Sequence, residues 1–420
     1  MEELYSSQFM FYTLNKDFVS YVQSRITFDE PVNHEQMLQA LTKTIERYPY
    51  FKVKLVRIEE RYCLDDNEKP LLLYDDPEHP TMEPQANNEY LLRVSAKDCL
   101  LNVCFCHALA DGRGILPFIK TLLYYYSLNH YQTDPLIPDV HLAGEIIPQE
   151  EIDDPFLAFD ISSITIPQTQ KKQESAFCFA DRTDPENRLF VHEFSMNSIQ
   201  FMEYAHRVDG SPNSLFVLFL CKALAKLYPE HLNDIVISVA LDERKALGVQ
   251  KSHHSTVGII PIRYSTRMAE LPFAKAETII RGRIIVGSDD DILKPQFAQT
   301  KMFAEYVRRI GTLAEKKSLC SKTITGAMVS YTGSVSYPRQ EDYGKMNTHM
   351  QSFYIFTNCV VPSLEIEITS YASRFFIALQ LGFDDDRIAD ELKHQIEDAG
   401  LECLDYKKEV IPNVPFRNME

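Results

Sequence analysis

Residues 107–112 read His107-Ala108-Leu109-Ala110-Asp111-Gly112 and bring an imidazole and a carboxylate to within four positions of each other. An imidazole can be neutral near pH 7 and then accept a proton, so His107 has the chemistry of a general base. Three readings compete for it. His107 is a core histidine satisfied by a backbone carbonyl, a metal ligand paired with Asp111, or a base facing a substrate channel. The metal reading needs a third ligand and a regular helix, and the sequence offers neither. The residues by themselves do not choose between the other two.

The elements around these residues place them at the mouth of a sheet. Leu100-Leu101-Asn102-Val103-Cys104-Phe105-Cys106 is short, largely apolar and free of Gly and Pro, which reads as a buried strand ending at the histidine. After Arg113 the apolar positions are Ile115, Phe118, Ile119, Leu122, Leu123 and Tyr126, the spacing of one helix face. Asp111-Gly112 is the turn between them. Polar residues at such a junction are where sites tend to be built.

Upstream, Met37, Leu38, Leu41, Ile45 and Tyr48 predict a helix over 33–48, capped by Asn33 and ended by Pro49. Strands are expected at 18–28, 51–56 and 91–94. Residues 133–187 are rich in Pro and carboxylates and read as an irregular, surface-lying crossover. The second half repeats the scheme. A strand at 188–194 leads to a helix reaching Arg207, with Ser195 or Asn197 as its cap. Ser211-Pro212 opens a helix that is apolar nearly all round and therefore buried. A core strand over 234–241 ends in Asp242-Glu243-Arg244. Helices are expected at 273–285, 295–310 and 387–399, the last stopped by Gly400. The alternation Leu364-Glu365-Ile366-Glu367-Ile368 reads as a half-exposed strand returning through 375–381. The lobes are then 1–132 and 188–420, joined by 133–187.

Composition limits the partners. The 420 residues suffice for two domains or one two-lobed unit. A formal charge of −17 argues against nucleic acid, whose phosphates it would repel. No apolar run is long enough to span a bilayer, and Met1-Glu2-Glu3-Leu4-Tyr5 has no signal-peptide character. The nine cysteines lack metal-ligand spacing, and Cys104 and Cys106 lie on one side of one strand, which fits a reducing cytoplasm.

His107-x-x-x-Asp111-Gly112 on a strand–turn–helix resembles the signature of the chloramphenicol acetyltransferase superfamily. That group includes the condensation domains of peptide synthetases, the alcohol acetyltransferases and the polyketide-associated acyltransferases. Arg47-Tyr48-Pro49, Val239-Ala240-Leu241-Asp242-Glu243-Arg244 and Ser330-Tyr331-Thr332-Gly333 extend the resemblance over nearly the whole chain. Many members have two adjacent histidines; here the first is Cys106. Without tryptophan the chain cannot carry the Asp-Phe-Gly-Trp-Gly motif of the plant acyltransferases. The bacterial or fungal alcohol acetyltransferases and free-standing condensation enzymes are the closer resemblance.

The resemblance implies an α/β fold of two-layer α+β sandwich lobes, a pseudo-dimer with a channel between them. It implies an O- or N-acyltransferase in which His107 takes the proton from an acceptor hydroxyl or amine. The acyl donor would be acyl-coenzyme A or a carrier-protein thioester, a co-substrate rather than a resident cofactor, and no metal is needed. Asp111 would turn away from the channel to a bidentate pair with Arg244, and a backbone carbonyl would hold the His107 ring. Cys106 would face away from His107 into a core. A non-catalytic or carrier-dependent condensation-like protein is the alternative. Ser330 and Thr332 are either oxyanion donors or ordinary strand hydroxyls. Arg339, Lys345 and the pair Lys316-Lys317 either meet coenzyme A phosphates or lie solvated. His253-His254, in a polar loop, is expected to be solvated.

Overall fold

The computed structural model describes residues 2–3, 7–13, 20–133, 140–166, 179, 182, 184–186, 188–320, 326–335, 346–359 and 364–412. Its strands are β1 (Glu2–Glu3), β2 (Ser20–Phe28), β3 (Val53–Ile58), β4 (Arg61–Asp66), β5 (Leu73–Tyr74), β6 (Leu92–Lys97), β7 (Leu100–Cys106), β8 (Leu189–Asn197), β9 (Val236–Asp242), β10 (Val257–Arg263), β11 (Ala327–Ser334), β12 (Met350–Cys359), β13 (Leu364–Tyr371), β14 (Arg374–Leu381) and β15 (Leu404–Ile411). They form a five-stranded sheet β12-β2-β7-β6-β5, a seven-stranded sheet β10-β9-β11-β13-β14-β8-β15 and a small sheet β1-β4-β3. Each large sheet has its own apolar core against helices, so the expected two-lobed α/β arrangement is present.

Local chemistry explains the elements next to the site. Asn33 caps helix His34–Arg47 by accepting from the Gln36 N–H, and Pro49 forces the exit. Asp111 caps helix Gly112–Tyr131, whose apolar face fills the first core with Ile115, Phe118, Ile119, Leu122 and Leu123. In the second lobe Ser211 caps helix Pro212–Leu227, which is buried on almost every side as its uniform apolarity requires. Asn197, not Ser195, caps helix Ser198–Arg207.

Two departures from the sequence reading matter for function. Strand β12 lies after residue 188 but pairs antiparallel with β2, so the first lobe's sheet takes its edge from residues 350–359. Strand β13 is buried on both faces, Glu365 and Glu367 included. Its second face is covered by β12, where the Thr369 hydroxyl donates to the Phe353 carbonyl at 2.5 Å. The lobes are joined further by Arg25 on β2, which pairs with Glu409 on β15 at 2.5 Å and Glu193 on β8 at 3.3 Å.

Candidate active site

Strand β7 ends at Cys106, and the chain turns at once. The His107 N–H donates to the Ser20 carbonyl at 2.9 Å, which pins the first residue of the turn to the start of β2. The His107 side chain is half-buried. Its Nδ1 is buried and has no hydrogen-bond partner among the described residues, so the expected backbone carbonyl does not hold the ring. An unmade bond at a buried ring nitrogen is costly, and such groups in a folded protein call for a functional account.

The far end of the turn is locked. Asp111 and Arg244 are both buried, and Asp111 Oδ1 accepts from Arg244 Nη2 at 2.7 Å. The pairing expected from sequence is present, but it is not a two-pronged fork. Asp111 Oδ1 also accepts from the Gly114 N–H at 2.7 Å, and Oδ2 accepts from the Thr256 N–H at 3.1 Å. One carboxylate therefore caps the helix and holds the loop before β10. Arg244 spends its other donors on the Ser252 and His254 carbonyls and on Asp242. Burial pushes the Asp111 carboxyl up, but the Arg244 charge and the hydrogen bonds from Arg244, Gly114 and Thr256 outweigh it and hold the group below its ordinary value.

The glycines allow this packing. A Cβ on Gly112 would lie 2.8 Å from Thr332 Cγ2, and one on Gly114 would lie 2.0 Å from the His253 carbonyl oxygen. Only a bare backbone lets the helix start approach β11 and the 252–256 loop this closely.

That loop overturns one expectation. His253 and His254 are buried, not solvated. His253 Nδ1 lies 2.6 Å from the Glu151 carbonyl and its ring stacks on Tyr50, while His254 Nε2 lies 3.1 Å from the Ile152 carbonyl. The short helix Gln149–Ile152 supplying those carbonyls belongs to the segment read as surface-lying, yet Glu151, Asp154 and Phe156 are buried there. The reason is Arg47, whose guanidinium makes a two-pronged pair with Glu151 at 2.7 and 2.9 Å. The segment Arg47-Tyr48-Pro49 is thereby tied through Glu151 and His253 to the Asp111–Arg244 pair. A buried arginine demands a carboxylate, and the acidic run Glu150-Glu151 was the signal that could have supplied it.

Burial lowers both imidazoles, His253 well below its ordinary value and His254 to about 4, with the neighbouring positive charge of Arg244 adding to the effect. Both are neutral when folded. The stability they contribute is present above the unfolded value of about 6.5 and is lost as the pH falls through the folded one. Buried Glu243, pushed up to about 8 by burial and by Asp242, acts in the opposite direction, so melting curves would mix the two. The expected result is read on the imidazoles themselves: two histidine ring resonances that do not titrate between pH 7.5 and 5. Ordinary titration of every histidine in that window would contradict the burial.

Asp111, Gly112, Arg113, Ala240, Asp242, Arg244, Val257, Ser330, Thr332 and Gly333 are among the residues lining a cavity of about 290 Å³. The structure thus brings Asp111, Gly112, Arg244, Ser330 and Thr332 to one place. His107 is not in that lining; it stands at the opposite end of the locked turn. Cys106 is in the core, and burial pushes its thiol up to about 12, which removes it as a nucleophile. Of the phosphate candidates, Lys316 is buried and donates to the Arg308 carbonyl at 3.0 Å, and the Lys317 ammonium lies over the Tyr62 ring. Arg339 and Lys345 fall outside the described residues. Among the described residues no group of three or more His, Cys, Asp and Glu side chains is placed to hold a metal ion.

The sequence matches no known family profile and no curated protein. Solved structures do match. Polyketide synthase associated protein 5 from Mycobacterium tuberculosis superposes with a TM-score of 0.62 at 12% identity, covering 94% of this chain and 96% of the other. The first condensation domain of the CDA synthetase matches at TM-score 0.54 and 13% identity, over 96% and 99% of the two chains. This chain has the chloramphenicol acetyltransferase-like fold. A third protein of this fold, F. graminearum TRI101 complexed with coenzyme A and deoxynivalenol, matches at TM-score 0.59 and 12% identity over 97% and 99%. In a chloramphenicol acetyltransferase-like fold the two sheets belong to the two lobes, and here the 107–112 turn is fixed to the second lobe by Arg244. No helix of the described residues is long and apolar enough to cross a membrane.

Proposed function

We propose that the protein is an acyltransferase that moves an acyl group from acyl-coenzyme A to an alcohol or amine, with His107 as general base. The observation that carries this reading is a half-buried His107 with an unbonded Nδ1, at the end of a turn whose other end is locked by Asp111 and Arg244. Such a turn fixes the backbone from which the imidazole projects, and so helps place a base near the acceptor proton. The acceptor oxygen or nitrogen forms a bond to the thioester carbonyl carbon as His107 takes its proton. The tetrahedral intermediate then collapses, the carbon–sulfur bond breaks, and His107 returns the proton to the departing coenzyme A thiolate. No acyl-enzyme is required, in keeping with the buried Cys106 thiol. The coenzyme A in the complex of the structurally similar F. graminearum protein supports coenzyme A as the donor.

The test is coenzyme A release from acetyl-, medium- and long-chain acyl-coenzyme A with a panel of alcohols and amines. Acceptor-dependent release is expected. Turnover confined to a thioester on a phosphopantetheinylated carrier would replace this reading with the condensation-type one, and binding without turnover would make the protein a non-catalytic member of the fold.

A further inference from the structure

Four charged side chains line the cavity beside the locked turn, and three of them are committed to each other. Asp111 and Arg244 form the buried pair. Asp242 Oδ1 accepts from the Arg244 backbone N–H at 3.1 Å and from Arg244 Nη1 at 2.9 Å. The fourth is Arg113. Its Nε lies 3.5 Å from Asp242 Oδ2, and it makes no hydrogen bond among the described residues. The side chain is 52% exposed, so it stands at the mouth of the cavity and not in its wall. A Cβ on Gly333 would lie 3.1 Å from Arg113 Nη1. The guanidinium therefore reaches from the start of helix Gly112–Tyr131 to the end of β11. An open ion pair at that distance holds an arginine weakly, and its N–H fork is left to face a ligand.

The cavity behind Arg113 is narrow in what it can take. Its walls are largely apolar at Ala240, Leu241, Val257 and Tyr331, with the Ser330 and Thr332 residues beside them. At about 290 Å³ it is at the small end of ligand pockets, with room for a linear amide-bearing arm but not for that arm and a nucleotide together. An arm seated there puts the group that ends it at the mouth. Arginine matches phosphate with two parallel N–H bonds. The chain's charge of −17 repels a phosphate in general, so its capture needs a local cation. Lys316 and Lys317 are not free for this, being held by the Arg308 carbonyl and the Tyr62 ring.

We propose that Arg113 binds the phosphate that ends the pantetheine arm of the acyl donor, with the arm itself in the cavity. The inference rests on the acyltransferase reading and adds to it a donor-binding residue. The same phosphate ends the arm of coenzyme A and that of a carrier-borne thioester.

The experiment measures binding of pantetheine, 4′-phosphopantetheine and coenzyme A to the full chain by calorimetry. Wild type should bind both phosphorylated ligands more tightly than pantetheine. Arg113→Ala should weaken both about tenfold, the effect of a charge-assisted hydrogen bond partly open to water, and should leave the pantetheine Kd unmoved. Arg113→Lys should recover part of the loss, because it keeps the charge without the fork. The side chain makes no hydrogen bond, so the urea midpoint of Arg113→Ala should match wild type; Arg113→Gln carries the test if it does not. Equal weakening of all three ligands overturns the proposal, as does a loss seen with coenzyme A and not with phosphopantetheine. Unchanged Kd values together with a raised KM for a carboxylate-bearing acceptor would assign Arg113 to the acceptor and overturn it too. Transfer assays with acyl-coenzyme A and with a carrier-borne thioester tell which donor supplies the phosphate, and either one is consistent with the site. If coenzyme A binds through Arg113 and no acyl group is transferred from any donor, the acyltransferase reading fails and the phosphate site stands. If wild type does not distinguish phosphopantetheine from pantetheine, the phosphate site fails and the acyltransferase reading stands.

Discussion

Arg244→Ala should destabilise the protein by about 5 kcal/mol and Asp111→Ala by about 3 kcal/mol, the range for breaking one side of a buried ion pair. The order follows from what each variant strands. Removing Arg244 leaves the Asp111 carboxylate buried with only two backbone N–H donors, and also leaves the Ser252 and His254 carbonyls without the guanidinium. Removing Asp111 leaves Arg244 still paired with Asp242 at 2.9 Å, whose side chain is 33% exposed and so reaches water. It also deletes a helix cap, worth about 1 kcal/mol within that total. Asp111→Asn should not rescue. Both carboxylate oxygens face donors, and an amide has one acceptor end, so its NH2 must meet either the Thr256 N–H or the Arg244 and Gly114 donors. Because Asp111 is held below its ordinary value, its contribution is present above about pH 3.9 and is lost as the pH falls through its folded value. Urea unfolding at neutral pH checks the series. An Arg244→Ala protein within about 1 kcal/mol of wild type would show that the pair does not hold the turn.

The strand, turn and helix that build the site were legible because each is specified locally. The apolar run ends at residue 106, Asp111 caps the next helix, and the helix face repeats at the right interval. The partner of Asp111 could be named only through the family resemblance, which pointed to Arg244 just past the end of β9. The 252–256 loop was not legible. Its residues look solvated in sequence, and what buries His253 is a carbonyl 102 residues away and the ring of Tyr50. Alternation in β13 told that its two faces differ, not that both are covered. That second cover is β12, which passes to the other lobe's sheet, and a local pattern carries no mark of such a crossing. The His107 ring was expected to be held by a carbonyl because a general base needs a fixed tautomer. The fold instead fixes the backbone on both sides of the ring, through Ser20 before the turn and Arg244 after it, and leaves Nδ1 unbonded.

His107→Ala should fold like wild type and lose about 10²–10⁴-fold in kcat, the share that a positioned base supplies. The two halves of this expectation come from the same geometry. The side chain donates no hydrogen bond through Nδ1, so truncation removes an unsatisfied buried atom rather than creating one. The bond from the residue 107 N–H to the Ser20 carbonyl belongs to the backbone and survives the substitution, and the Asp111–Arg244 lock four residues on is untouched. The variant should therefore unfold at the wild-type urea midpoint and bind acyl-coenzyme A as tightly as before. This is the reverse of the Asp111 and Arg244 variants, in which rate and stability fall together because the turn itself is released. The contrast separates a base from a core residue. A histidine that served packing would cost stability on truncation and leave the rate of the surviving folded protein unchanged. Full activity in a normally folded His107→Ala protein would remove the base from the mechanism, and transfer would then have to rely on the acceptor's own ionisation.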